Sequence, residues 1–422
     1  MNKKLLVLLV FMILFAFGLS TSAVAEEVIK IGGLFSLTGA LSPYGPPIAD
    51  AAKLAFKDIN EAGGVLGKNL EFVVRDTGTA AAMGRDAASK LVEIDKVPAI
   101  IGALSSGVTV AASSIAIDGE VVLISPASTS PMLTNLEDND YVFRTCVSDA
   151  LQGVVQARLA VNLGYQIVSV IYVNNPYGKG LADVFKENFE AVGGEVLAMV
   201  PYEEAKPSYR GEVEAALDAS PDAINLIGYP VDGNKMLIEA IELGYEGEYI
   251  FPDGMKGEGV APGPACDPEA PLDQQYIEGT FGTAPGALSV AVAEAFDAAY
   301  TEEYGPSGIP FRSQSYDAAI LIALAIQKTG PEFLGMSRAE QGRAIRDNLR
   351  AVANPHGEEV TYGEGELTRA LKLLSTGVDI NYQGVSGPLT FDKNGDMAEG
   401  AIEIWTVKGC NVQSVWIVEV GN

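Results

Sequence analysis

From Val28 onward the chain repeats one pattern: a short continuous apolar run, a loop, then a helical stretch. Residues 28–34, 70–75, 98–102 and 121–124 read as buried strands, and 48–60, 81–95 and 107–117 as the helices between them. Strands apolar on both faces, each followed by a helix, pair in parallel beneath helices that cover both sides of the sheet. After 142–145 the pattern restarts. Helices are expected at 150–163, 181–191, 212–219 and 235–243, and strands at 167–173, 195–200, 223–227 and 249–251. No Ser/Gly-rich linker separates the halves, so the expected fold class is α/β: two Rossmann-like doubly wound lobes joined by a hinge, with a cleft between them. Residues 254–271 read as a Gly/Pro loop, 289–304, 316–328 and 338–352 as helices, and 387–392, 401–407 and 415–420 as short strands. The expected division is 1–25 as a leader, 26–146 in the first lobe, 147–278 in the second, 279–385 back in the first, and 386–422 as a crossover with terminal strands completing the lobes.

Lys3 and Lys4, the apolar run 5–19 and Ala23-Val24-Ala25 form a secretory signal cleaved near Ala25. That run is shorter than the ~20 residues a membrane span needs, and so is every later apolar stretch. With no cysteine near the cleavage site to carry a lipid, the mature protein is expected free and soluble in the periplasm. Cys146, Cys266 and Cys410 form no Cys-x-x-Cys motif, which leaves one disulfide plus a spare thiol, or three reduced cysteines, equally open.

Composition removes several functions. The chain has 28 Lys+Arg against 55 Asp+Glu, a formal charge of −27 that repels nucleic acid and anionic membrane surfaces. His356 is the single histidine, which leaves little room for a zinc site or a histidine base. No Gly-x-Ser-x-Gly elbow or Gly-x-Gly-x-x-Gly loop is present, and the stretch 63–69 lacks the first glycine and the Ser/Thr of a phosphate loop. Neither an enzyme nor a cofactor is expected. Asp392, Asn394, Asp396 and Glu403 match four ligand positions of a calcium loop, but Met397 stands where glycine is required, so a turn between strands is the better account.

In open parallel sheets, ligands sit beyond the carboxyl ends of the strands. Ser105 and Ser106 follow the third expected strand, and Ala127, Ser128 and Thr129 the fourth. Hydroxyls and free N–H groups there can hold a ligand carboxylate without Lys or Arg, or can simply cap helices and turns. Tyr44, Tyr177 and Tyr229 lie in loops after strands, where a ring can cover a ligand. Asp253 can hold an ammonium group or form an ordinary Pro-Asp-Gly turn.

Ile29-Lys-Ile-Gly-Gly33, Thr38-Gly39, Tyr44-Gly45 and Asp58-Ile-Asn-Glu-Ala-Gly-Gly-Val-Leu-Gly67 occur in this order. They are followed by Pro98-Ala-Ile-Ile-Gly102, Ser125-Pro-Ala-Ser-Thr129, Asn175-Pro-Tyr-Gly178 and Gly387-Pro-Leu-Thr-Phe-Asp392. With these motifs the chain resembles the exported substrate-binding proteins of branched-chain and hydrophobic amino-acid ABC transporters, the leucine/isoleucine/valine-binding group. The resemblance implies a monomer that closes by a hinge on an amino acid and delivers it to a membrane permease. It implies that Ser106, the Ala127 backbone, Ser128 and Thr129 hold the ligand carboxylate, that Asp253 holds the amine, and that Tyr44, Tyr177 and Tyr229 form aromatic walls. Asp253 stands where the best-known members carry glutamate. The regions 254–271 and 335–381 look longer than in compact members, and Thr79 (or a neighbour) and Ser105 replace a cysteine pair found in some. Ligand identity is therefore not carried over: branched-chain amino acids lead, and the alternative is a sensing module of the same fold that binds an amide, urea or carboxylic acid.

Overall fold

The computed structural model describes residues 28–353 and 355–421, except for the side chain at 273; the leader expected at 1–25 lies outside the described residues. The first five strands are β1 (Ile29–Phe35), β2 (Leu70–Asp76), β3 (Ala99–Gly102), β4 (Val122–Ser125) and β5 (Val142–Arg144). They form one parallel sheet in the order β2-β1-β3-β4-β5. Every residue of β3 and β4 is buried, as expected of central strands covered on both faces. The first three helices are α1 (Gly45–Glu61), α2 (Ala81–Lys90) and α3 (Ser106–Asp118).

The second unit alternates α4 (Asp149–Asn162), β6 (Ile167–Val173), α5 (Pro176–Ala191), β7 (Glu195–Tyr202), α6 (Arg210–Leu217), β8 (Ala223–Ile227), α7 (Pro230–Glu242), β9 (Glu248–Phe251) and β10 (Phe281–Gly286). Local chemistry starts its helices. Ser148 caps α4, Asn175 accepts from the N–H groups of Tyr177 and Gly178, and prolines open α5 and α7. The chain then returns to the first unit as α8 (Val290–Tyr304), α9 (Arg312–Thr329) and α10 (Arg338–Val352). Helix α9 packs against α1, and Tyr300 of α8 donates to Pro47 O (3.1 Å). Strand β11 (Glu358–Thr361), helix α11 (Glu366–Ser375) and strand β12 (Ile380–Gln383) follow, the strands pairing in parallel with each other. Finally β13 (Glu399–Lys408) and β14 (Asn411–Gly421) add to the second sheet as antiparallel strands, giving the order β14-β13-β10-β9-β8-β6-β7. The fold is thus α/β with two predominantly parallel sheets, and the chain passes between the units after β5, after β10 and before β13.

Two local readings differ from the expectation, and a third stretch is filled in. Residues 281–286, assigned by sequence to the first lobe's return, form β10 of the second sheet; two glycines and Pro285 hide the strand signal. Only Phe281 and Gly282 pair with β9, so Pro285 loses no ladder bond on that side. Residues 387–392 make isolated bridges rather than a strand. The long stretch after Gly335 folds into α10, α11 and the small β11–β12 sheet.

Asp317 on α9 fixes where the last crossover leaves the first unit. Its buried carboxylate accepts from Tyr382 Oη (2.9 Å), Val385 N (2.9 Å), Ser386 N (2.8 Å) and Ser386 Oγ (2.6 Å). The loop 254–271 is fastened at its far end by a disulfide between Cys266 and Cys410, which leaves Cys146 free and buried. Of the two cysteine arrangements left open by sequence, this is the first. Among the described residues, no helix is long and apolar enough to cross a membrane.

The disulfide spans 144 residues of chain, so its removal should relax the unfolded state substantially. A Cys266→Ser/Cys410→Ser double variant is expected to lose about 2–5 kcal/mol of unfolding free energy in urea titrations. An unchanged midpoint and slope would show that the link contributes nothing to stability.

Candidate ligand-binding site

Loops that follow strands of both sheets line one slot, the place where parallel sheets bind ligands. On the first unit, Gly45 opens α1 so close to the chain that a Cβ would lie 2.0 Å from Ser36 O. That approach seats Tyr44 in the cleft. Its hydroxyl donates in bifurcated fashion to the carbonyls of Lys256 (2.6 Å) and Asp253 (3.0 Å) on the second unit. Ser106 begins α3, and its Oγ accepts from Ser130 N (3.3 Å). Ser105 Oγ lies 3.4 Å from Tyr229 Oη, another contact between units.

From the second unit come two stacked rings, Tyr177 and Tyr229, with centroids 5.6 Å apart and planes 10° from parallel. Tyr229 Oη accepts from Asn175 Nδ2 (3.1 Å). Asp253 Oδ1 accepts from Gln152 Nε2 (2.6 Å) and Tyr177 Oη (3.1 Å). Burial pushes the Asp253 carboxyl up to about 6, and those two hydrogen bonds oppose the shift.

Six of the eight sequence-derived candidates line a single narrow slot: Tyr44, Ser106, Ala127, Tyr177, Tyr229 and Asp253. Its apolar wall is Leu41, Ile48, Leu104 and Phe311. Ser128 and Thr129 stand behind this slot. Ser128 Oγ is engaged with Thr109 Oγ1 (2.7 Å) and the carbonyls of Ala103 (3.1 Å) and Leu104 (3.2 Å), so it braces the loop. Thr129 is fully buried, its hydroxyl beside Asp149.

Sequence reasoning missed Asp149 and Gln152. Asp149 is fully buried at the start of α4, and burial, with the field of Asp253 second, holds its carboxyl well above the usual range. Thr129 eases this, yet neither carboxylate oxygen makes a hydrogen bond of good geometry, and Gln152 Oε1 has no partner either. The signal was available, because Asp149 follows a strand as the other site residues do. Phe311 had none; it arrives with the returning segment and turns into α9 at φ 70°.

Asp253 thus shares the slot with an apolar wall, and beside it lie buried acceptors short of donors on Asp149 and Gln152. Such acceptors are costly to bury unless something supplies N–H groups. The nearby Arg144 is not that donor: its guanidinium is bonded to Asp396, Thr134 and backbone carbonyls. A larger open groove lies on the first unit between α1, α9 and α11. Within it Tyr316 Oη already donates to Asp58 (2.7 Å). Among the described residues, the one grouping of metal-ligating types is Cys266, Glu278 and Cys410, whose sulfurs are joined in the disulfide.

Comparison with known proteins agrees with this architecture. The chain is 28% identical over 372 residues to the chemotactic signal transduction system substrate-binding protein BasB of Halobacterium salinarum, covering 86% of this chain and 83% of that protein. The crystal structure of the leucine-binding protein LivK from Thermotoga maritima matches with a TM-score of 0.73 at 26% identity, over 92% of this chain and 98% of that one. A solute-binding protein from R. palustris, solved in complex with benzoate, has a TM-score of 0.75 over 94% of this chain and 98% of that one; at 17% identity it shows likeness of fold alone. The profile of the family described as periplasmic binding protein matches residues 28–407. The chain belongs to the periplasmic binding protein family and has its non-enzymatic, type I binding fold.

Proposed function

We propose that this chain is an extracytoplasmic solute-binding protein that captures a small amino acid with an apolar side chain and delivers it to an ABC permease. The observation that carries this reading is the buried Asp253 carboxyl in one slot with an apolar wall, beside acceptors on Asp149 and Gln152 that lack donors. A ligand ammonium supplies a donor and a positive charge beside the Asp253 carboxylate. Ser106 and the Ala127 backbone, with Thr129 and Ser128 supporting them from behind, form the carboxylate end. Tyr44, Tyr177 and Tyr229 cover the ligand.

The name of the leucine-binding relative supports this ligand class. The alternative is an acid without an amine, such as the benzoate held by a protein of like fold. That alternative meets a physical obstacle here, because such an anion shares the slot with the Asp253 carboxyl, and the nearby Arg144 is already bonded to Asp396, Thr134 and backbone carbonyls. BasB's name supports a sensing role, in which a chemotactic transducer reads the closed form; the capture step is the same.

The units touch across the cleft through Tyr44, Ser105 with Tyr229, and Ser130 Oγ, which donates to Pro176 O (2.7 Å). We take this as the closed state of a hinge that works at the three crossovers. Ligand can favour closure only by contacting both units, and the slot offers contacts from both.

Asp253→Asn is expected to weaken L-leucine binding at least ~100-fold, because a charge-assisted bond and a favourable field are both lost. The same change should leave ligand-free stability equal or higher at pH 7. The Asp253 carboxyl sits at about 6 in the fold against roughly 3.9 unfolded, so its ionisation destabilises the empty protein as pH rises through that window. Calorimetry and thermal melts of both proteins check the pair of outcomes; unaltered affinity would remove Asp253 from the site. For the same reason L-leucine affinity should decline as pH falls below about 6, the value of the buried carboxyl. Dissociation constants between roughly pH 5 and 8 test this, and a flat profile would contradict an ionised Asp253 as ammonium partner.

A further inference from the structure

The turn Asp392-Lys-Asn-Gly-Asp396 does more than reverse the chain. Asp392 Oδ1 accepts from the N–H groups of Asn394 (2.7 Å) and Asp396 (3.0 Å), which closes the turn on itself. The Asp396 carboxylate is then free to meet Arg144 at the end of β5. Arg144 has no exposed surface. Its Nε and Nη2 donate to the two Asp396 oxygens at 2.7 and 2.8 Å, a fork-on-fork pair. Nη2 also donates to Thr134 Oγ1 (2.8 Å), which itself donates to Asp396 Oδ2 (2.6 Å). The remaining nitrogen, Nη1, points into the loop after β4 and donates to the carbonyls of Ser128 (3.3 Å), Thr129 (3.0 Å) and Ser130 (2.9 Å). In addition, Arg144 N donates to Gly395 O (3.0 Å).

One guanidinium thus grips two things: the loop 128–130 and the last crossover between the units. That loop has three neighbours that matter. Ser130 N donates to Ser106 Oγ, Thr129 O accepts from Asp149 N (2.8 Å), and Ser130 Oγ reaches the opposite unit at Pro176. A shift of the loop therefore moves Ser106, the start of α4 with Asp149, and a contact between units together.

We propose that Arg144 and Asp396 are positioning residues: they hold the loop 128–130 in its binding shape and tie that shape to the third crossover, so that site geometry and lobe closure are set by one buried pair. The ligand half of this inference rests on the amino-acid reading above; the loop half does not. A purely structural ion pair would stabilise the fold as a whole and would not single out this loop or one end of the ligand.

Asp396→Asn keeps the shape and removes the charge, so it is the main variant. Amide hydrogen exchange on the ligand-free protein should show the Ser130 amide exchanging at least ~10-fold faster while β8 is unchanged, as expected when a charge-assisted bond is lost locally. No change at Ser130, or an equal rise in both units, overturns the proposal. Calorimetry should then show ~10-fold weaker binding of L-leucine and a clearly smaller loss for L-leucinamide, which lacks the carboxylate; equal losses also overturn it. Arg144→Lys keeps the charge without the fork and should behave like Asp396→Asn, not like wild type. If Asp396→Asn does not fold, Thr134→Val removes only the bridging hydroxyl and should give the same pattern at roughly threefold size. A wild type that binds neither probe would sink the amino-acid reading, while the exchange result still decides the role of the pair.

Discussion

Asp253 is a carboxylate that both units keep out of water. The second unit supplies it on the turn after β9 and furnishes its donors, Gln152 and Tyr177. The first unit seals it, because Tyr44 reaches over to the carbonyls of Asp253 and Lys256. A lone buried carboxylate is expensive, and here a second one, Asp149, lies within its field. Sites that store such a cost are ones that a ligand relieves, so the electrostatics of the empty slot and the chemistry of what fills it are two sides of one constraint.

Under the proposed function, the same constraint ties closure to binding. With the units apart, water can solvate both carboxylates and little is gained by holding them near each other. Once Tyr44, Ser105 and Ser130 meet the second unit, water is excluded and the charges need a partner. A ligand that brings an ammonium to the acids and an apolar group to Leu41, Ile48, Leu104 and Phe311 touches both units and shifts the balance toward the closed form. The last crossover is braced at its first-unit end by Asp317 and by the Arg144–Asp396 pair.

Much of this was legible in the residues. Continuous apolar strands separated by helices specify parallel sheets, and a parallel sheet specifies which loops face the cleft; Tyr44, Ser106, Tyr177, Tyr229 and Asp253 all follow from that rule. What escaped has identifiable causes. Strand β10 carries two glycines and a proline, so it has no apolar run to read. Ser128 and Thr129 look like ligand hydroxyls by position, yet whether a serine faces a slot or its own loop depends on side-chain rotamers that spacing does not encode. Asp149 follows a strand as the other site residues do, yet an acid at a helix start reads as an ordinary capping feature until its burial is known. The pairing of Cys266 with Cys410 could not be chosen among three cysteines without knowing which strands become neighbours.

The central claim is that the slot recognises an amine, and one comparison tests it most directly. Purified protein lacking its leader, unfolded and refolded to remove any carried ligand, would be titrated calorimetrically with L-leucine and with 4-methylpentanoate, the same carbon skeleton and carboxylate without the amine. The account predicts heat and saturation with leucine and none with the acid. Equal or tighter binding of the acid would contradict it, and would mean that the two buried carboxylates hold protons rather than a ligand cation.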